Sequence, residues 1–126
     1  EVPGQMTHAS VAGSPLEDPR VTLIEGDVAR TLAAANRSYD AILLDVDNGP
    51  AALTDRRNRK LYRRQGLVTA RHALSPGGVL AVWSAGPDRA FERELGRARF
   101  NVRIETVRAR KGSKGPRHTI FIACAR

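Results

Sequence analysis

The part of this sequence best suited to catalysis or binding is an apolar run that ends in two carboxylates. Residues 39–45 read YDAILLD, and Asp47 follows Asp45 after one residue, before Asn48-Gly49-Pro50 breaks the pattern. Because side chains alternate along a strand, a strand that continues through Asp47 points both carboxylates to the same side. Two like charges held together raise one pKa, which suits acid/base chemistry or the binding of a cation.

The same residues also fit a plain turn. Asp-Asn-Gly-Pro is typical of a sharp turn in which aspartate accepts backbone hydrogen bonds. Asp27 presents a similar choice, since it follows Glu25-Gly26 and precedes a helix-forming segment whose N-cap it can supply. From the residues alone, a functional and a purely structural role stay open for Asp27, Asp45 and Asp47.

Alternating strand and helix patterns must position these residues. The periodicity predicts strands over 21–25, 39–45, 79–83, 101–110 and 118–125, and helices over 28–36, 59–74 and 88–99, with Asp88 as an N-cap. The second strand has the continuous apolar run of a strand buried on both faces, and Ser75-Pro76-Gly77-Gly78 is expected to stop the second helix. The last two strands read as an antiparallel pair. This order predicts an α/β sandwich with helices on both faces of the sheet.

Ligands of open α/β sheets bind beyond the carboxyl ends of the parallel strands, because loop amides and helix N-termini converge there. Four polar side chains fall at such ends in the predicted arrangement: Asp27, Asp45, Asp47 and Ser84. The sequence therefore predicts a binding site at this edge of the sheet.

Composition narrows the class of protein. The chain has 126 residues, 41% of them hydrophobic, and a formal net charge of +8, with arginine far more frequent than lysine. Its single cysteine excludes an internal disulfide, and its three histidines are far apart in sequence, so we expect no metal centre. No segment approaches the roughly 20 apolar residues of a membrane span, and we expect a cytoplasmic protein without a membrane partner. Residues 1–20 are expected to form an irregular lead-in.

Two basic stretches raise the question of nucleic acid. They cover 55–60 (DRRNRK) and 108–118 (RARKGSKGPRH). Aromatic residues make up only 5% of the chain, and none lies between the basic residues as a stacking platform. A solvated helix face and a charged hairpin tip explain the pattern, so nucleic acid is not an expected partner.

Four motifs together carry a family resemblance: Glu25-Gly26-Asp27, residues 39–45, Gly49-Pro50-Ala51 followed by Leu61-Tyr62, and residues 75–80 (SPGGVL). Over residues 16–126 the chain resembles the spermidine synthase-like branch of the S-adenosylmethionine-dependent methyltransferase superfamily. The Leu-Leu-Asp then Gly-Pro-Ala spacing points to its aminopropyltransferases. The resemblance implies a partial Rossmann-like methyltransferase fold over 21–126, with parallel strands, a C-terminal antiparallel pair and the first two strands absent.

The resemblance also implies residue roles. Asp45 would be the base that takes a proton from the attacking amine, and Asp27 would bind the adenine amino group beside Val28. The remaining implied contacts are Pro50 and Ala51 in the nucleoside pocket, and Asp47 and Tyr62 near the amine. The implied substrates are decarboxylated S-adenosylmethionine, or S-adenosylmethionine itself, and a small amine, without a metal. Two alternatives remain: a methyltransferase of unknown acceptor and a non-catalytic α/β assembly domain.

Departures from the family pattern set further expectations. Val46 stands where the family has a hydroxyl residue, and no glycine-rich turn precedes Val21. The family strand order, 3-2-1-4-5-7-6, separates a strand at Val21 from one at Tyr39 by two strands that this chain does not supply. We therefore expect the C-terminal portion of a longer transferase, inactive by itself and a weak nucleoside binder. Its exposed strand edges would favour a homodimer or a strand-swapped assembly.

Overall fold

The computed structural model describes residues 15–45, 59–108 and 117–126. Within these ranges the chain forms short 3-10 turns at Pro15–Glu17 and Lys60–Tyr62, together with three α-helices and four β-strands. The helices are α1 (Val28–Ala34), α2 (Arg64–Ala73) and α3 (Arg89–Arg97). The strands are β1 (Tyr39–Leu44), β2 (Leu74–Ser84), β3 (Phe100–Arg108) and β4 (Arg117–Ala125).

The four strands form one mixed sheet in the order β1-β2-β4-β3. Strands β1 and β2 are parallel, whereas β4 runs antiparallel to both β2 and β3. In the family order 3-2-1-4-5-7-6, the strands β1, β2, β4 and β3 correspond to strands 4, 5, 7 and 6. The observed order therefore matches that end of the implied arrangement. The predicted class, a partial Rossmann-like methyltransferase fold with a C-terminal antiparallel pair, is confirmed.

One face of the sheet carries the core. The register places Leu44, Val82 and Phe121 side by side, and all three are buried. Leu67 of α2 and Leu95 of α3 pack onto this face and are fully buried. Complete burial of such side chains stabilises the fold by about 1.5–3 kcal/mol each. The core therefore lies between the three helices and a single face of the sheet.

The opposite face of the sheet is open within the described residues. The next row in the register joins Leu43, Ala81 and Ile122, and Leu43 is 75% exposed. The expectations of helices on both faces, and of a strand at 39–45 buried on both faces, are therefore wrong for this part of the chain. The reason is topological: β2, β4 and β3 all lie on the same side of β1, so right-handed crossovers keep α2 and α3 on one face.

The predicted strand over 21–25 is also wrong, because these residues have no strand conformation. Val21, Leu23 and Ile24 are exposed by 43%, 47% and 62%. A strand requires a hydrogen-bonded neighbour, and no described strand lies beside this segment. Just before this segment, the Arg20 guanidinium donates to the Asp18 carboxylate at 2.8 Å and lowers the pKa of that carboxyl.

Strand β2 begins earlier than predicted, directly after α2. Leu74 already pairs with Tyr39, and the pairing register shifts between Tyr39 and Ala41. Ser75-Pro76-Gly77-Gly78 therefore forms an irregularity within the strand rather than a loop, and Gly77 supplies the positive φ of 78° that it needs. The predicted helix over 59–74 is divided at Arg63 into the Lys60–Tyr62 turn and α2.

Candidate functional site

Asp45 lies where β1 ends, at the carboxyl edge of the parallel strands. Its side chain is exposed, and Leu44 opposite Val82 is the last register pair before it. Residues 46–58 lie outside the described part of the chain, so the predicted sites Asp47, Pro50 and Ala51 are not located. The structure thus places Asp45 at the end of the sheet where folds of this kind bind ligands. The predicted pairing of Asp45 with Asp47 stays a prediction.

Asp27 is the N-cap of α1. Its Oδ1 accepts a hydrogen bond from the backbone N–H of Ala29 at 2.9 Å, as the structural alternative predicts. A carboxylate has about four acceptor positions, so capping leaves capacity for a ligand N–H donor. Asp27 and the neighbouring Val28 are both exposed. Capping and nucleoside binding are therefore compatible at this position.

Tyr62 lies in the wall of a cavity at the start of α2. The cavity has a volume of about 240 Å³ and is lined by Tyr62 with Arg59, Arg63, Asp88, Ala90, Phe91 and Glu94. Tyr62 is only 6% exposed, and its ring meets that of Phe91 edge-on with centroids 5.7 Å apart. Because α2 and α3 begin at the carboxyl edge of the sheet, this cavity opens at the same edge as Asp45.

The acidic residues of this cavity already have partners. Asp88 Oδ1 accepts from the backbone N–H of Phe91 at 3.0 Å, which confirms the predicted cap of α3. The Glu94 carboxylate accepts from Arg64 at 3.4 Å and from Arg97 at 2.9 Å. Arg59 Nε, in contrast, is buried without a hydrogen-bond partner among the described residues. The groups of this cavity that are still available to bind a ligand are therefore mainly the N–H donors of cationic side chains.

Ser84 is the remaining predicted polar residue at this edge, and unlike Asp45 it is not exposed. It is buried on the helix-covered face, and its hydroxyl donates to the carbonyl of Gly86 at 2.8 Å. A second cavity, of about 330 Å³, separates α1 from α2 and has an apolar floor that includes Leu32 and Leu61. Neither Asp27 nor Asp45 lines these two cavities. The described residues thus do not join Asp27 and Asp45 in a common pocket.

Sequence reasoning missed a cluster of arginines at the opposite edge of the sheet. Arg37, Arg71 and Arg126 line one cavity of about 170 Å³ together with His72. These residues are too far apart in sequence to form a motif, and no local pattern could have revealed them. Among the described residues there is no group of three metal-binding side chains and no helix that could span a membrane.

Solved structures share this fold. A spermidine synthase from Thermotoga maritima matches with a TM-score of 0.67 and 16% identity, over 88% of this chain and 37% of its own. A spermidine synthase in complex with the transition-state analogue AdoDATO matches with a TM-score of 0.68 and 15% identity, over 91% and 38%. An O-methyltransferase family protein from Burkholderia thailandensis gives 0.51 and 15%, over 77% and 32%.

These likenesses define the class of the fold. At such identities they show a methyltransferase-like α/β fold of the kind found in transferases, and nothing finer. The chain spans less than two fifths of the length of the two spermidine synthases, at 37% and 38%. No family model matches the sequence, and no curated protein sequence does either.

Proposed function

We propose that these residues are the C-terminal part of a spermidine synthase-like transferase, which moves an aminopropyl group from decarboxylated S-adenosylmethionine to a small amine. The observation that carries the proposal is the exposed Asp45 at the end of β1, in a sheet with the order β1-β2-β4-β3. The better match to the spermidine synthases, 0.67 and 0.68 against 0.51 for the O-methyltransferase family protein, supports it.

A carboxylate at Asp45 suits the chemistry of this transfer. An alkylammonium with a pKa near 10 is about 0.1% neutral at pH 7, so freeing its lone pair costs about 4 kcal/mol. The amine nitrogen forms a bond to the methylene carbon beside the sulfonium, the C–S bond breaks, and its electron pair stays on sulfur as methylthioadenosine. Asp45 holds the cation, orients the nitrogen in line with the carbon, and accepts its proton.

The other residues have supporting roles in this proposal. Asp27 uses its remaining acceptor capacity for the adenine amino group, and Val28 packs against the ring. Pro50 and Ala51 line the nucleoside pocket, whereas Asp47 binds the amine. Because Tyr62 is nearly buried, we place its ring in the wall of the amine pocket rather than at the reacting atoms.

Further parts of the domain complete the pocket in this proposal. Two parallel strands from other parts of the domain lie between residues 21–25 and β1, and the position of β1 at one edge of the described sheet supports this arrangement. The complete protein then acts in polyamine biosynthesis in the cytoplasm. Without the two strands, the free edges of the sheet favour pairing between two copies of the chain.

The test compares two aspartates at opposite ends of β1 in the complete protein that contains this chain. Asp45 directly follows the carboxyl end of the strand, whereas Asp40 lies at its start, where it accepts from Ser75 Oγ at 2.8 Å. With decarboxylated S-adenosylmethionine and putrescine, Asp45→Asn should lower the rate of methylthioadenosine release by about 10²–10⁴-fold. Asp40→Asn should leave that rate nearly unchanged.

Two results would contradict the proposal. Equal activity of Asp45→Asn and the unmodified protein would exclude Asp45 as the base. Methyl transfer from S-adenosylmethionine, without aminopropyl transfer to any of a series of diamines, would instead support the methyltransferase alternative.

A further inference from the structure

Three arginine side chains from distant parts of the sequence meet at the amino-terminal edge of the parallel strands. We propose that the cavity lined by Arg37, Arg71, His72 and Arg126, the arginine cavity, is a binding site for a phosphate group. It lies beside Leu74 at the start of β2, at the end of the sheet opposite Asp45. The site is therefore separate from the proposed transferase site.

Backbone hydrogen bonds fix the positions of these arginines. The N–H of Arg37 donates to the carbonyl of His72 at 2.9 Å, and the N–H of Ser38 donates to that of Ala73 at 2.8 Å. These two bonds tie the segment after α1 to the end of α2. On the other side, the N–H of Arg126 donates to the carbonyl of Arg99 at 3.1 Å. The cationic side chains thus extend from fixed points of the fold.

Two of the guanidinium groups are oriented by main-chain oxygen atoms. Arg71 Nη2 donates to the main-chain oxygen of Arg126 at 3.1 Å, and Arg126 Nη2 donates to that of Phe100 at 3.4 Å. Arg71 Nε is buried and has no hydrogen-bond partner among the described residues. A buried donor without an acceptor costs free energy, and an oxyanion beside this guanidinium group would offset part of that cost through its charge.

The charge of the cavity favours the same ligand. Its lining includes three permanently charged guanidinium groups, and none of its lining residues carries a carboxylate side chain. The three like charges repel one another, and an anion between them converts this repulsion into attraction. Guanidinium groups bind phosphate oxygens through paired N–H donors. A volume of about 170 Å³ accommodates a phosphate group, while its carrier remains outside.

The test is thermal unfolding of the 126-residue chain in inorganic phosphate, compared with sodium chloride at the same ionic strength. Binding to the folded state alone raises Tm with phosphate concentration. We expect a saturating rise in phosphate and none in chloride. The NMR resonance of Arg71 Nε–H should shift over the same concentration range.

Arg37→Gln is the variant of choice, because it removes one charge and leaves the bond between Arg71 and Arg126 in place. It should abolish most of the rise in Tm, whereas Arg103→Gln, on β3, should retain it. An equal rise in both variants, or no difference between phosphate and chloride, would overturn the proposal. ADP that binds tenfold more tightly than phosphate would show that the phosphate group belongs to a nucleotide, and equal affinities that it is free phosphate.

Discussion

Gly66 lies directly against the turn that precedes α2, so that a Cβ atom on Gly66 would overlap the backbone carbonyl oxygen of Lys60. The Lys60–Tyr62 turn is folded back onto the first turn of the helix. With the turn in this position, Leu61 and Tyr62 are buried in the core. A residue without a side chain thus positions the wall of the cavity beside the proposed active site.

Substitution of this glycine should therefore be costly. Gly66→Ala should lower the free energy of unfolding by about 1–3 kcal/mol, because the turn must move to admit the methyl group. Gly96→Ala is the matched control, since a Cβ there meets no atom within 4 Å and alanine is the better helix former. It should be neutral or stabilise by up to about 1 kcal/mol. Urea denaturation measures both effects, and equal values would refute the packing argument.

The capping bond of Asp27 can be separated from its charge. Asp27→Ala removes the acceptor for the Ala29 N–H and should cost about 1 kcal/mol, whereas Asp27→Asn keeps an acceptor oxygen and should cost much less. Both variants should weaken nucleoside binding by the complete protein if Asp27 binds the adenine amino group. Stability comes from chemical denaturation and affinity from calorimetry. Unimpaired binding by both variants would limit Asp27 to its role as a cap.

Cys124 reports on the open face of the sheet. It is exposed and lies opposite Val79 in the register, on the same face as Leu43 and Ala81. We expect its thiol to react with Ellman's reagent in the folded 126-residue chain nearly as fast as in urea. If further parts of a larger domain cover this face, the reaction should be much slower in the complete protein. Slow reaction in the chain by itself would show that the face is already covered.

The 126-residue chain should bind methylthioadenosine weakly or not at all. Among its described residues, Asp27 and Asp45 line neither cavity beside α2, so a nucleoside finds no enclosed site between them. Isothermal titration calorimetry of the chain and of the complete protein tests this expectation. Low-micromolar affinity of the chain by itself would contradict it.

The sequence predicts those elements whose signals are local. The continuous apolar pattern from Tyr39, the cap at Asp88 and the alternation in β4 all lead to the correct element. The errors concern long-range pairing. Val21 to Glu25 has a strand-forming sequence but no neighbour among the described strands, and Gly77-Gly78 reads as a stop although β1 pairs on both sides of it.

The candidate site shows the same difference between local signals, which the sequence reveals, and long-range packing, which it does not. The placement of Asp45 follows from the end of one apolar strand, which is visible in the sequence. The burial of Tyr62 against Phe91 depends on the packing of two helices, and the meeting of Arg37 with Arg71 and Arg126 depends on the whole sheet. Neither of these relationships can be predicted from the composition of the chain or from the spacing of its residues.

The register of the sheet also bears on the order in which it folds. Strands β3 and β4 are close in sequence and pair along their whole length, from Phe100 with Ala125 to Arg108 with Arg117. Pairing of β1 with β2 must instead close a longer loop that contains α2, which slows its formation. The antiparallel C-terminal ribbon should therefore nucleate the domain, and the parallel pair of strands that precedes Asp45 should form later.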